Sequence, residues 1–360
     1  MSAGPSRSRL GRLAIAIALT IGMAPACLAV PAAAATAGQE VADCSRSFTP
    51  VRLAAGQAAD HLVYGELCLP KGRRPHAVQV TVHGGAYTHV YWDFPYQPEN
   101  YSYVEHMTRA GFATFTIDRI GNGASSRPLG ALVDVATNGF VVHQLVDALR
   151  RGTLRNSGGV SFAKVVLAGH SLGSSVVFDV ASKYPGDADG VIITGMAHRF
   201  AAGIASVVPA LSWPAFLEPR FHTLDPSYLT TRPGTRGELF YDLSNADPEV
   251  IAIDEATKGT TTLPEAATFL PYLIDGTTSR IHLPVLVVLG QHDRLFCGGV
   301  TGTDCSSSEA LLEQERPFYP PDAELEAFAL PNAGHDINLQ RNSAAWFNVA
   351  EQWLARHFSA

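Results

Sequence analysis

Charged side chains are scarce in this chain. They make up 16% of its 360 residues, against 46% hydrophobic, and the formal net charge is only −7. No block of lysine or arginine occurs, which removes the electrostatic footprint that a nucleic-acid partner requires. So little charge against so much apolar side chain also excludes disorder beyond the N-terminus. Cysteine is sparse as well. There are five, without the paired short spacings or companion histidine cluster of a zinc site, so neither a metal nor another cofactor is expected. Internal repeats are missing, which excludes a solenoid. What remains is a chain long enough for a large core, read as one α/β domain with a substantial insertion.

The N-terminus carries Arg7, Arg9 and Arg12, an apolar stretch over 13–30, and a run of small residues ending in Ala35-Thr36-Ala37 before Gly38. That order is a secretory signal peptide over 1–37, and it implies a secreted protein. Pro25 interrupts the apolar stretch and alanine weakens it, so no stable membrane span is expected once the signal is removed. Cys27 follows Ala24-Pro25-Ala26, a poor context for lipid attachment. Removal of the leader leaves Cys44, Cys68, Cys297 and Cys305, which allow three connectivities. Nearest-neighbour pairing, Cys44 with Cys68 and Cys297 with Cys305, is the most economical.

Beyond the leader, apolar runs and helical periodicities alternate. Segments 47–53 and 61–69 alternate as two antiparallel strands, 77–82 is a third, and 112–117, 163–168 and 190–194 follow. Helical spacing covers 98–110, 138–154 and 174–184 between them. The pattern lapses over 198–282, where Pro209, Pro214, Pro219, Pro226 and Pro233 break up scattered aromatics, and this is too long for an ordinary connection. It resumes with strands at 284–289 and 324–330 and a final helix at 344–358. These elements predict a mostly parallel, eight-stranded sheet with helices on both faces. The core is expected over 38–197 and 283–360, with a helical and loop cap at 198–282 between strands six and seven.

Residues 165–173 read Val-Val-Leu-Ala-Gly-His-Ser-Leu-Gly. An apolar strand runs into Gly169, Ser171 and Gly173, and a helix follows, so the hydroxyl sits on a sharp bend where bulky neighbours would collide. A serine nucleophile needs a base, and the base needs an orienting acid. Asp293 stands at the end of the apolar run 285–289, whereas Asp304 and Asp336, the other acids considered, follow a strand less directly. His335 lies on the loop after the last strand, just before the final helix. Among the other histidines, His170 sits inside the bend, His292 adjoins the acid and His198 follows a strand.

The order Ser171, Asp293, His335 resembles that of the α/β-hydrolase superfamily over about 47–358. The resemblance rests on the serine bend, the His83-Gly84-Gly85 loop, the Asp118-Arg119 turn, the strand-end Asp293 and the Gly334-His335 loop. It implies the α/β-hydrolase fold and acyl transfer through Ser171, with His335 as base and Asp293 orienting it. It also implies an oxyanion hole formed by the N–H of Leu172 and that of Gly85 or Ala86, and a holding role for Asp118 and Arg119. Epoxide hydrolases and haloalkane dehalogenases of this fold carry aspartate where Ser171 stands.

The expected substrate is a small, apolar carboxylic ester. A lactonase or peptidase-type hydrolase with the same triad is the alternative within enzymes, and a non-catalytic binding protein on a hydrolase scaffold the alternative outside them. Tyr87, Tyr91, Trp92, Phe94 and Tyr96, with Phe200, Leu211, Trp213, Phe216, Leu217 and Phe221 of the insertion, either line an apolar pocket or fasten the cap. Tyr87, Trp92, His198 and Trp213 are the candidate substrate contacts.

Overall fold

The computed structural model describes residues 42–202 and 204–358. The signal-peptide reading of 1–37 lies outside them. The main sheet has eight strands: β1 (Ala42–Val51), β2 (His61–Pro70), β3 (Ala77–Val82), β4 (Ala113–Ile117), β5 (Lys164–His170), β6 (Gly190–Thr194), β7 (Val285–Gly290) and β8 (Leu325–Leu330). Their order is β1-β2-β4-β3-β5-β6-β7-β8. The β1–β2 and β2–β4 pairs are antiparallel and the rest parallel.

Every residue of β3, β4, β6 and β7 is buried. That is why β6 and β7 read as near-continuous apolar runs, and β3 and β4 are interrupted only by Gln79 and threonines: helices cover both faces of a parallel sheet. The helices concerned are α1 (Tyr103–Ala110), α2 (Val135–Arg151), α3 (Leu172–Lys183), α4 (Ser308–Glu315) and α5 (Ser343–Phe358). Helix α2 begins before the expected 138 because the Asp134 carboxylate caps it, accepting the Thr137 N–H at 2.7 Å. The helix expected over 98–110 is broken at Ser102. Its backbone is extended and its Oγ accepts the Glu105 N–H at 2.9 Å, so a one-turn helix (Pro98–Tyr101) ends where α1 starts.

Strand order reverses between β3 and β5, which lie side by side with Val82 opposite Gly169. In open α/β sheets the crevice at the carboxyl ends of such a pair is where ligands bind. The loops after β3, β5, β7 and β8 all leave from that edge. They carry His83–Ala86, Ser171, Asp293 and His335.

The insertion occupies the chain between β6 and β7. It holds short helices and a three-stranded ribbon of Trp213–Pro214, Tyr228–Thr230 and Thr261–Thr262. Ala215, Phe221 and Tyr228 form a small cluster of their own, but Leu239, Phe240, Tyr241 and Val250 pack into the same buried cluster as the sheet. A buried Arg236–Asp254 ion pair, 2.7 Å at both contacts, braces the insertion from within. Both nearest-neighbour disulfides are present, Cys44–Cys68 across the β1–β2 register and Cys297–Cys305 in the loop after β7. Among the described residues, no helix is long and apolar enough to cross a membrane.

Candidate active site

The bend after β5 needs both of its glycines. A Cβ on Gly169 would lie 2.6 Å from the Gly173 carbonyl oxygen, and one on Gly173 would lie 2.3 Å from that of Val82. These contacts press the start of α3 against the ends of β5 and β3. Between them Ser171 adopts φ +52° and ψ −124°, a conformation that L-residues avoid unless the surroundings impose it. Its N–H is tied to the Thr194 carbonyl at 2.8 Å. The side chain is partly exposed at the floor of a cavity.

Asp293 and His335 meet beside this bend. His335 Nδ1 donates to Asp293 Oδ2 at 2.7 Å, and the other carboxylate oxygen accepts the Leu295 N–H at 2.8 Å. Both side chains are buried, and His335 Nε2 has no partner among the described residues. With its proton held on Nδ1, the ring offers Nε2 as a free acceptor. Burial pulls the His335 pKa down, but the Asp293 charge and hydrogen bond, with Asp336 adding to them, outweigh it, and the net direction is up from 6.5. Phe240 and Phe296 pack on the imidazole at centroid distances of 5.4 and 6.0 Å, and both also line the Ser171 cavity.

The other acids and histidines are engaged elsewhere. Asp304 is exposed and caps a turn at Ser306. Asp336 is buried, accepts the Tyr87 hydroxyl and lies 3.7 Å from His170 Nε2; burial pushes its pKa up to about 6. His170 stacks on Tyr91 at 4.1 Å and shares Nδ1 with the Tyr91 and Thr194 hydroxyls, each at 3.1 Å. Burial, then the nearby His335, lowers the His170 pKa well below 6.5, so it stays neutral. His292 is exposed and paired with Asp242 at 2.6 Å.

The loop after β3 faces the bend. A Cβ on Gly84 would lie 3.1 Å from the Ser171 Cβ. Of the two candidate donors on this loop, Ala86 has spent its N–H on the Thr260 carbonyl at 3.0 Å, which leaves Gly85. Leu172, the first residue of α3, carries one of the N–H groups that a helix leaves without an internal partner. Gly85, Ser171 and Leu172 all border the same cavity, of about 340 Å³.

Tyr87 and Leu211 line that cavity; the rest of its apolar wall is Phe240, Phe269, Leu295, Phe296 and their neighbours. Three candidate substrate contacts are corrected here. Trp92 is fully buried in an aromatic stack with Tyr103 and Trp346, so it fastens the core. His198 is clamped by Glu315 at 2.7 Å and Thr278 at 3.0 Å and lies flat on Phe318. Trp213 pairs with Thr230 in the cap ribbon beneath the Arg232 guanidinium and does not line the cavity, though its neighbour Ser212 does. Nothing in the sequence marks Phe240 and Phe296 as cavity residues. Phe240 ends a short helix (Arg236–Phe240) beside Tyr241, and Phe296 sits in a turn after β7; neither segment is long enough for periodicity to mark the side it faces.

Among the described residues one grouping has metal-ligand proximity, Cys44, Glu66 and Cys68, and its sulfurs are joined to each other. No curated protein sequence matches the chain. Solved structures resemble it at low identity. A soluble variant of monoglyceride lipase from Saccharomyces cerevisiae, in complex with a substrate analog, aligns with a TM-score of 0.59 at 17% identity, covering 87% of this chain and 97% of the lipase. Paleococcus ferrophilus monoacylglycerol lipase aligns at 0.55 and 18%, covering 82% and 99%. A thermophilic esterase from Thermogutta terrifontis aligns at 0.55 and 18%, covering 88% and 100%. These likenesses are of fold. The model of the alpha/beta hydrolase family matches residues 79–349, and with three quarters of its length inside that match, the chain belongs to the alpha/beta hydrolase family.

Proposed function

We propose that this protein is a secreted serine hydrolase of carboxylic esters whose acyl group is apolar and of short to medium length. One observation carries the reading: the strained Ser171 opens into an apolar cavity whose walls, Phe240 and Phe296, also hold the Asp293-paired His335. His335 Nε2 takes the Ser171 proton as Oγ attacks the ester carbonyl. The N–H groups of Leu172 and Gly85 meet the negative charge on the former carbonyl oxygen. The intermediate collapses when His335 returns the proton to the leaving alcohol. Water then enters, gives a proton to His335 and attacks the acyl-enzyme, and Ser171 is released with its proton restored. Asp293 stabilises the imidazolium formed at each stage and fixes its tautomer.

The cavity size supports a small acyl group. At about 340 Å³ it lies at the small end of the range of about 300–1,000 Å³ for small-molecule sites. An acyl chain from butyrate to octanoate fits this volume better than palmitate. The two disulfides suit an oxidising compartment, in keeping with secretion. A panel of p-nitrophenyl esters from acetate to palmitate tests the proposal. Activity should peak between butyrate and octanoate and vanish in Ser171→Ala. Retained activity in that variant, or turnover of lactones alone, overturns it.

A further inference from the structure

A fully buried ion pair lies directly behind the loop that presents Gly85. We propose that Arg119, held by Glu265 of the cap, is a positioning residue that aims the Gly85 N–H at the reacting carbonyl oxygen, so that the cap completes the oxyanion hole. The inference rests on the assignment of Gly85 as an oxyanion donor.

The geometry runs through one peptide plane. The Arg119 side chain, just past β4, has no exposed surface, and neither has Glu265. Arg119 Nε donates to the His83 carbonyl at 2.9 Å and Nη2 to the Gly84 carbonyl at 3.1 Å. His83 Nδ1 donates to the same Gly84 oxygen at 2.9 Å, while its Nε2 accepts the Arg119 N–H at 3.0 Å. Burial, then the Arg119 charge, lowers the His83 pKa to about 3, so this arrangement of its proton persists at working pH. The Gly84–Gly85 peptide is trans, and across a trans peptide C=O and N–H point in opposite directions. Two donors that draw the Gly84 oxygen inward therefore turn the Gly85 N–H outward, into the cavity shared with Ser171 and Leu172.

The cap supplies what orients the guanidinium. Glu265 Oε1 takes Arg119 Nη1 and, at 2.9 Å, Asn138 Nδ2, while Oε2 takes the Thr262 N–H at 2.7 Å. The other side of Gly85 is held from the cap too. The Ala86 carbonyl accepts from Gly259 N at 3.2 Å and Arg236 Nη1 at 3.0 Å, beside the Ala86 N–H to Thr260 bond. A buried ion pair is weak evidence for stability as such. Here its guanidinium touches the carbonyl of the donor peptide.

The test uses Glu265→Gln, which keeps an acceptor for the Thr262 N–H, and Arg119→Lys, whose single ammonium cannot span two carbonyls and a carboxylate. Rates on p-nitrophenyl butyrate are normalised to the fraction of Ser171 that a fluorophosphonate labels to completion, so partial unfolding does not imitate the effect. Glu265→Gln should lower kcat by about 10- to 100-fold, somewhat less than loss of a whole oxyanion donor, with KM within about threefold. Affinity for a trifluoromethyl ketone, whose adduct places an oxyanion in the hole, should fall by the same factor, and the His335 pH limb should not move. If Arg119→Lys does not fold, Glu265→Gln alone decides. Unchanged kcat and ketone affinity, or a rise in KM alone, overturns the inference. A wild-type protein that hydrolyses no ester overturns the underlying assignment instead.

Discussion

Replacing Asp293 by Asn separates the two buried carboxylates that border His335. Asp293 lies 2.7 Å from Nδ1, and both groups are buried. At an effective dielectric of about 20, a unit charge pair at that distance is worth about 6 kcal/mol, a ceiling on what the carboxylate gives the imidazolium in the transition state. The amide also has an N–H that can donate to Nδ1. That places the ring proton on Nε2, where it can no longer accept from Ser171. Tautomer reversal of this kind lowers kcat by on the order of 10⁴. Asp336→Asn is the control, because that carboxylate is bonded to Tyr87 and lies nearer His170. It should cost less than about tenfold in kcat, since it leaves the His335 tautomer alone. Steady-state hydrolysis of p-nitrophenyl butyrate by both variants, with folding checked by circular dichroism, gives the comparison. A larger loss from Asp336→Asn than from Asp293→Asn refutes the assignment of the acid.

Other consequences follow from the same geometry. His335 must be neutral to act as base and its pKa is raised, so kcat/KM should fall as pH drops through a value above 6.5; a limb below 6.5 in the pH–rate profile contradicts this. Gly173→Ala forces a Cβ to within 2.3 Å of the Val82 carbonyl oxygen. It should cost at least about 1–3 kcal/mol in urea denaturation and abolish phosphonate labelling; a stable, fully labelled variant would show that the bend is not so constrained. His198→Ala leaves the buried Glu315 without its side-chain donor, a loss of about 1–3 kcal/mol in the same assay. Its kcat should stay within a few-fold of wild type, and a large fall in kcat with stability intact would return His198 to the site.

The central strands are legible because they are buried on both faces and bounded by glycine or proline: 77–82 and 190–194 match their apolar runs to the residue. The helix at 98–110 is not, since only the Ser102 hydroxyl distinguishes a break there from a continuous periodicity. Ser171, Asp293 and His335 announce themselves by standing just past apolar strands. The cavity wall does not. Trp92 and Trp213 are conspicuous in sequence yet face the core and the cap ribbon, while Phe240 ends a one-turn helix and Phe296 sits in a turn, short segments whose side-chain directions depend on tertiary packing. The Ala86 N–H is engaged by the Thr260 carbonyl, about 170 residues away, and no local pattern encodes that contact.

The proposed chemistry stands or falls with Ser171 as the nucleophile. Peptide mass mapping after treatment with a fluorophosphonate tests it most directly. A single adduct is expected on the peptide containing Ser171, absent after prior denaturation and in His335→Ala. An adduct on another residue, or none on the folded protein, would contradict it.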